Sequence, residues 1–212
     1  MTIDFKQVIP EPIQSTYNPN SEIWNNTFSL KQGKEYIINA KSGKGKSTFI
    51  QIIYGVRKDY IGEVAINSEL IANLSNNRLA ELRKTKLAIM FQDLRLFPDL
   101  SAKDNILVNA ALADTAPLHH INEWANRLGV AHLLDKKTRL LSYGERQRIA
   151  LIRSLIQPFH WLLLDEPFSH LDLENTEIAY SLIKERAKEQ NAGIIITTLG
   201  EDHFLDGETK QL

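Results

Sequence analysis

The chain has 212 residues, 43% of them apolar, and a formal net charge of -1; it can bury a full core but has no overall charge to draw it to nucleic acid or anionic lipid. It contains no cysteine, which excludes disulfide scaffolding and thiol chemistry. Its longest apolar runs, such as Ile194-Ile195-Ile196, fall far short of the roughly 20 residues that cross a bilayer. The opening MTIDFKQVIPEP carries acid and proline where a signal peptide needs an apolar stretch.

In chain order, Ile3 to Val8 and Thr27 to Leu30, within the first 35 residues, read with Gly62 to Asn67 (GEVAIN) as antiparallel strands. Tyr36 to Asn39 (YIIN), Leu87 to Phe91 (LAIMF), Trp161 to Leu164 (WLLL) and Ile194 to Thr198 (IIITT) are short apolar runs between polar or glycine-containing segments. Such runs are strands buried on both faces, as in a parallel sheet. Helical spacing follows Lys46, with Phe49, Ile50, Ile53 and Tyr54 on one side. It returns from Ser142 to about Gln157, where Pro158 ends it, and from about Leu173 to Gln190, before Gly193. Residues from about 93 to 140 have helical spacing without a strand, punctuated by Pro98 and Pro117. We expect an inserted helical lobe there, with Phe97, Leu100, Ile106, Leu107, Leu112 and Trp124 mostly in its core. The sum is one doubly wound α/β domain with an antiparallel β subdomain and a helical insertion.

Ala40 to Thr48 reads AKSGKGKST. A phosphate-cradling loop is normally written G-x-x-x-x-G-K-[ST] and needs converging backbone N–H groups, a helix start, a lysine and a hydroxyl for magnesium. Gly43, Gly45, Lys46 and Ser47 keep all four, between an apolar strand and a helix. Ala40 replaces the first glycine and forbids little unless that position has a positive φ. Lys41 and Lys44 are expected to point to solvent. Downstream, the WLLL strand delivers Asp165 and Glu166 to its C-terminal end, the edge where open α/β sheets hold ligands. Asp165 suits magnesium and Glu166 suits polarising a water; the alternative is a helix cap in a polar loop.

Leu141 to Glu145 (LSYGE) precedes that strand by one helix and resembles the signature loop of ATP-binding-cassette (ABC) ATPases, usually L-S-G-G-Q. Phe91-Gln92 resembles the family's Q-loop, Ser169-His170-Leu171-Asp172 its D-loop, and Tyr17 sits where the family places the aromatic that stacks on adenine. The likeness runs from Tyr17 to about Thr198 and implies a P-loop NTPase of ABC type. It implies that ATP is bound by Tyr17, Ser42, Gly43, Lys44, Gly45, Lys46, Ser47 and Thr48, and magnesium by Ser47, Gln92 and Asp165. Glu166 would be the general base, with Gln92 sensing the γ phosphate and Lys46 contacting the β and γ phosphates. Ser142, Gly144 and Glu145 would meet the ATP of a second, head-to-tail subunit, expected to be a copy of this chain.

Three departures from the family pattern stand out. Tyr143 replaces a glycine. Glu145 replaces glutamine, although Ser142-x-x-Glu145 is also a capping box. Thr198 takes the place of the switch histidine, with His203 a conceivable substitute and a solvated loop histidine its alternative. His119 and His120 are adjacent and have no metal-ligand spacing.

The resemblance implies an ATPase subunit that powers a membrane transporter, with its permease on a separate chain and the cassette at the cytoplasmic face of the membrane. The Leu94 to Leu100 stretch (LRLFPDL) is the candidate docking groove. LFPDLS with Asn105 is similar to stand-alone subunits of lipoprotein-release and peptide- or macrolide-export systems. The competing reading is an ATP-gated dimerising module with little hydrolysis, favoured by Thr198 and Glu145. A nucleic-acid partner is not expected, because the long coiled coil or tandem cassettes of such relatives are missing.

Overall fold

The computed structural model describes residues 1–112, 119–200 and 205–212. The chain opens with β1 (Thr2–Pro10), then β2 (Thr27–Lys31), β3 (Glu35–Asn39), α1 (Lys46–Ile53), β4 (Tyr60–Ile66), β5 (Glu69–Leu70) and α2 (Asn76–Thr85). In β1, Ile3 and Phe5 alternate with less buried residues, so one face of the strand meets the core. β1 pairs antiparallel with β2 and β4, and β4 with β5, giving a sheet ordered β2-β1-β4-β5.

The second half carries β6 (Leu87–Met90), α3 (Ala102–Leu112), α4 (His120–Arg127), α5 (Tyr143–Ile156), β7 (Trp161–Asp165), α6 (Leu173–Glu189), β8 (Gly193–Thr198) and β9 (Glu208–Gln211). A parallel sheet runs β6-β7-β8-β3-β9. Every residue of β6, β7 and β8 is buried, which is why these strands read as unbroken apolar runs. Successive side chains feed opposite faces. Trp161, Leu163 and Ile195 join the α1 side, while Leu162, Leu164, Ile194 and Ile196 join α5 and α6. Each such Leu or Ile contributes about 1.5–3 kcal/mol of burial free energy.

Three sequence expectations need correction. Gly193 is not the stop after α6; it is the first residue of β8, where a Cβ would lie 2.5 Å from the Trp161 ring. The left-handed residue beyond α6 is Asn191, with φ +49. Leu94 is not part of an exposed groove. It is 3% exposed, because the buried Arg153 guanidinium donates to the carbonyl oxygens of Leu94 and Arg95 and fastens that turn onto α5. Phe97 and Leu100, expected with the core of the helical lobe, are instead exposed, at 50% and 39%, and are what remains of the candidate groove. The buried Asn105 side chain holds this turn, accepting from the Phe97 amide at 2.7 Å and donating to the Phe97 carbonyl at 3.1 Å.

α3 and α4 pack around α5, with Ile106, Trp124 and Ile152 in one cluster. Pro117 and the side chain of Leu112 lie outside the described residues. No helix among the described residues is long and apolar enough to cross a membrane.

Candidate nucleotide site

The site stands at the C-terminal edge of the parallel sheet. Register aligns Met90 with Leu164, Asp165 with Thr197, and Asn39 with Thr198. The chain leaving β6, β7, β8 and β3 therefore brings Gln92, Asp165-Glu166, Thr197-Thr198 and the Ala40 loop side by side, from segments far apart in sequence.

The loop's geometry follows from its glycines. Gly43 and Gly45 have φ +77 and +98, the left-handed region that favours glycine. Gly45 is also cradled: a Cβ there would lie 3.0 Å from Ile13 and 3.2 Å from Trp24. The Trp24 indole N–H donates to the Lys44 carbonyl at 3.4 Å and supports the loop from beneath. Ala40 is not among the left-handed residues, so its methyl meets no backbone conflict. Gly45 gives α1 no side-chain cap, which leaves first-turn amides suited to an anion. Ser42, Gly43 and the Lys41 and Lys44 side chains are exposed, and Lys44 Nζ donates to the Thr16 carbonyl at 3.3 Å. The Thr48 hydroxyl is taken by Arg57 at 3.5 Å.

Lys46 opens α1 and is 5% exposed, with Nζ donating to the Ala40 carbonyl at 2.7 Å and pairing with Glu166 Oε1 at 3.2 Å. Glu166 Oε2 accepts from Gln92 Nε2 at 3.0 Å, and Gln92 Oε1 accepts from Ser47 Oγ at 3.3 Å. The loop, β6 and β7 thus share one polar chain. Glu166 has φ +50, an unfavourable conformation for a residue with a Cβ. The Thr197 hydroxyl works on both acids, donating to Asp165 Oδ1 at 2.7 Å and accepting from the Glu166 amide at 3.1 Å. Burial pushes the Asp165 carboxyl above the usual carboxylate range, against the pull of the Thr197 and Ser47 hydroxyls.

Ser142 caps α5. Its Oγ accepts from the Glu145 amide at 3.3 Å, and Glu145 Oε2 accepts from the Ser142 amide at 2.7 Å, completing the expected capping box. These hydrogen bonds hold the Glu145 carboxyl below its usual range. Ser142 itself is exposed. A Cβ on Gly144 would stand 3.0 Å from the His170 carbonyl oxygen, so glycine lets α5 approach the residues after β7.

The family whose model describes an ABC transporter matches residues 23–169. This chain is an ABC-family ATPase. The lipoprotein-releasing system ATP-binding protein LolD of Saccharophagus degradans is 32% identical over 174 residues, covering 81% of this chain and 76% of that one. LolD of Francisella tularensis subsp. tularensis is 30% identical over 178 residues, covering 82% and 77%. Among solved structures, the dimeric bacterial ABC transporter cassette MJ0796 superposes with TM-score 0.77 at 26% identity over 93% of this chain and 88% of that one. The post-hydrolysis MJ0796 cassette with ADP and Pi gives TM-score 0.78 at 26% identity over 92% and 87%.

In this ABC ATPase, half-buried Tyr17 lines a cavity of about 580 Å³ with Asn39, Ala40, Lys41 and Lys44. Thr198 is 6% exposed and its hydroxyl accepts from the Gly200 amide at 3.3 Å. It borders a smaller cavity, about 220 Å³, with Glu166, Ser169 and Thr197. His203 lies outside the described residues. His120 stacks on Trp124 and pairs with Glu123, and no cluster of three or more His, Cys, Asp or Glu suited to a metal occurs among the described residues.

Reading motifs alone missed Thr197, Trp24 and Gln147, whose Nε2 donates to the Glu166 carbonyl at 3.2 Å. Thr197 carried one signal, a hydroxyl ending an apolar strand. Trp24 carried none, because its loop contact is purely tertiary.

Proposed function

We propose that this chain is the ATP-hydrolysing motor subunit of a membrane transporter whose permease is a separate chain, and that residues 1–212 form one cassette with 93–140 as its helical subdomain. The polar chain linking Ser47, Gln92, Glu166 and Lys46 carries this reading. It gathers a loop lysine, a hydroxyl, an amide and a carboxylate at one sheet edge, each suited to one part of a triphosphate and its attacking water.

Gly43, Gly45 and the first-turn amides of α1, with Ser42, Lys44 and Thr48, bind phosphate, and Lys46 supplies charge at the β and γ positions. Tyr17 faces the adenine. Glu166 accepts the proton of the attacking water, and Gln92 orients that water through its amide. Ser47 Oγ, Gln92 Oε1 and the Asp165 carboxylate would hold magnesium. One carboxylate with neutral oxygens fits a hard cation that takes its other ligands from phosphate and water. Bound there, the ion supplies positive charge to phosphate oxygens.

Exposed Ser142, with Gly144 and Glu145, serves the nucleotide of a second copy arranged head to tail. The dimeric form of the MJ0796 cassette supports this reading, and the LolD relatives, ATP-binding proteins of a lipoprotein-releasing system, support service as one component of a larger transport system. A membrane permease reached from the cytoplasmic face is part of the proposal. Exposed Phe97 and Leu100 suit the docking of that partner.

The experiment is size-exclusion chromatography with light scattering. The chain should double in mass with magnesium and ATPγS and stay monomeric with ADP. A monomer in both conditions overturns the head-to-tail arrangement. A second reading, an ATP-gated module with scarce turnover, is favoured by Thr198 at the switch position and predicts doubling in ATP itself without phosphate release.

A further inference from the structure

The residue that breaks the signature pattern is not idle inside its own subunit. The Tyr143 hydroxyl donates to the Gln92 carbonyl oxygen at 2.7 Å, although the two residues belong to different segments. The Tyr143 ring lies 4.2 Å from the His170 ring, inclined at 46°. His170 Nδ1 is 2.9 Å from Ser169 Oγ, and Ser169 Oγ donates to the Glu166 carbonyl at 3.2 Å. Since Gln92 Nε2 donates to Glu166 Oε2 at 3.0 Å, the contacts close on themselves: Tyr143, Gln92, Glu166, Ser169, His170 and back to Tyr143.

A glycine at 143 has no side chain and closes no such circuit. The tyrosine therefore substitutes an intrasubunit tether for backbone freedom at the start of α5. Gln92 itself is exposed, so its placement depends on what fixes its backbone.

We propose that Tyr143 is a positioning residue for hydrolysis: it fixes the Gln92 backbone relative to the first turn of α5 and thereby holds the Gln92 amide on Glu166. It rests on the assignment of Glu166 and Gln92 to ATP hydrolysis. Because the same turn carries Ser142, the tether also links the surface offered to the second subunit with the residue that orients water in the first.

The test is a double-mutant cycle of Tyr143→Phe with Gln92→Ala in the full chain, following ATP turnover and thermal unfolding. Tyr143→Phe keeps the ring on His170 and removes only the hydroxyl. We expect kcat to fall about 3- to 10-fold, the kinetic equivalent of one neutral hydrogen bond, with KM for ATP within about twofold. In the Gln92→Ala background there is no amide left to hold, so the same substitution should change kcat by less than about 1.5-fold. Unchanged kcat in Tyr143→Phe, an equal loss in both backgrounds, a rise in KM alone, or a stability loss large enough to explain the drop would each overturn the proposal. A wild-type chain without turnover overturns the hydrolytic assignment and the tether's role together; wild-type turnover with an indifferent Tyr143→Phe overturns the tether alone.

Discussion

Lys46 Nζ lies 3.2 Å from Glu166 Oε1, and both side chains are largely removed from solvent, so the loop lysine and the proposed base are each other's counter-ion. Phosphate must compete with Glu166 for Lys46. Glu166→Gln removes that competition together with the base. We expect turnover to fall about 10²- to 10⁴-fold while ATP affinity is kept or increased. Phosphate-release assays beside nucleotide titration check this; an unchanged rate would reject Glu166 as the base.

The two ends of the loop should respond oppositely. Gly45→Ala puts a Cβ at φ +98 and within 3.2 Å of both Ile13 and Trp24. The strain costs about 1–3 kcal/mol and lowers both the unfolding temperature and ATP affinity. Ala40→Gly restores the family residue where no left-handed backbone requires it, and ATP affinity should stay within about twofold. Isothermal titration of both variants decides; a large gain from Ala40→Gly would show that the methyl obstructs phosphate.

Thr198 borders the cavity of about 220 Å³ beside Glu166. Thr198→His places an imidazole there, and turnover should rise about tenfold or more as a charge-stabilising group is restored. Steady-state hydrolysis measures it. No increase would mean that the missing histidine does not limit the rate.

Burial, with Lys86 secondarily, holds the His160 imidazole below its ordinary value of 6.5, and Lys86 Nζ lies 3.2 Å from its Nε2. The neutral form belongs to the folded chain. Its contribution to stability is complete above the ordinary histidine range and is lost as pH falls through the depressed folded value. His160→Gln should flatten the decline in unfolding temperature between about pH 7 and pH 5. Parallel slopes for variant and wild type would exclude His160 as a source of that decline.

The central strands were legible in the sequence because burial on both faces leaves runs dominated by Ile and Leu, with polar residues only where Asp165, Thr197 and Thr198 reach the C-terminal edge. The α5 cap was legible because a capping box needs particular side chains at fixed spacing, here Ser142 and Glu145. α2 was missed because only Leu79 and Leu82 of its ten residues are buried. β9 was missed because ETKQ is a polar edge strand, recruited by pairing with β3 and not by its own pattern. Within the site, Lys46, Ser47, Gln92, Asp165 and Glu166 announced themselves through motif chemistry. Thr197, Trp24 and the Tyr143 hydroxyl act through neighbours distant in sequence, and local spacing holds no record of such partners.

Glu166 departs from its strand at φ +50, a conformation that glycine or asparagine would adopt with less discomfort. Substitutions that relax this bend also delete the carboxylate from the sheet edge. Robustness and chemistry are therefore opposed at a single position, and a sequence drifting toward a calmer backbone here would trade away its proposed proton acceptor first.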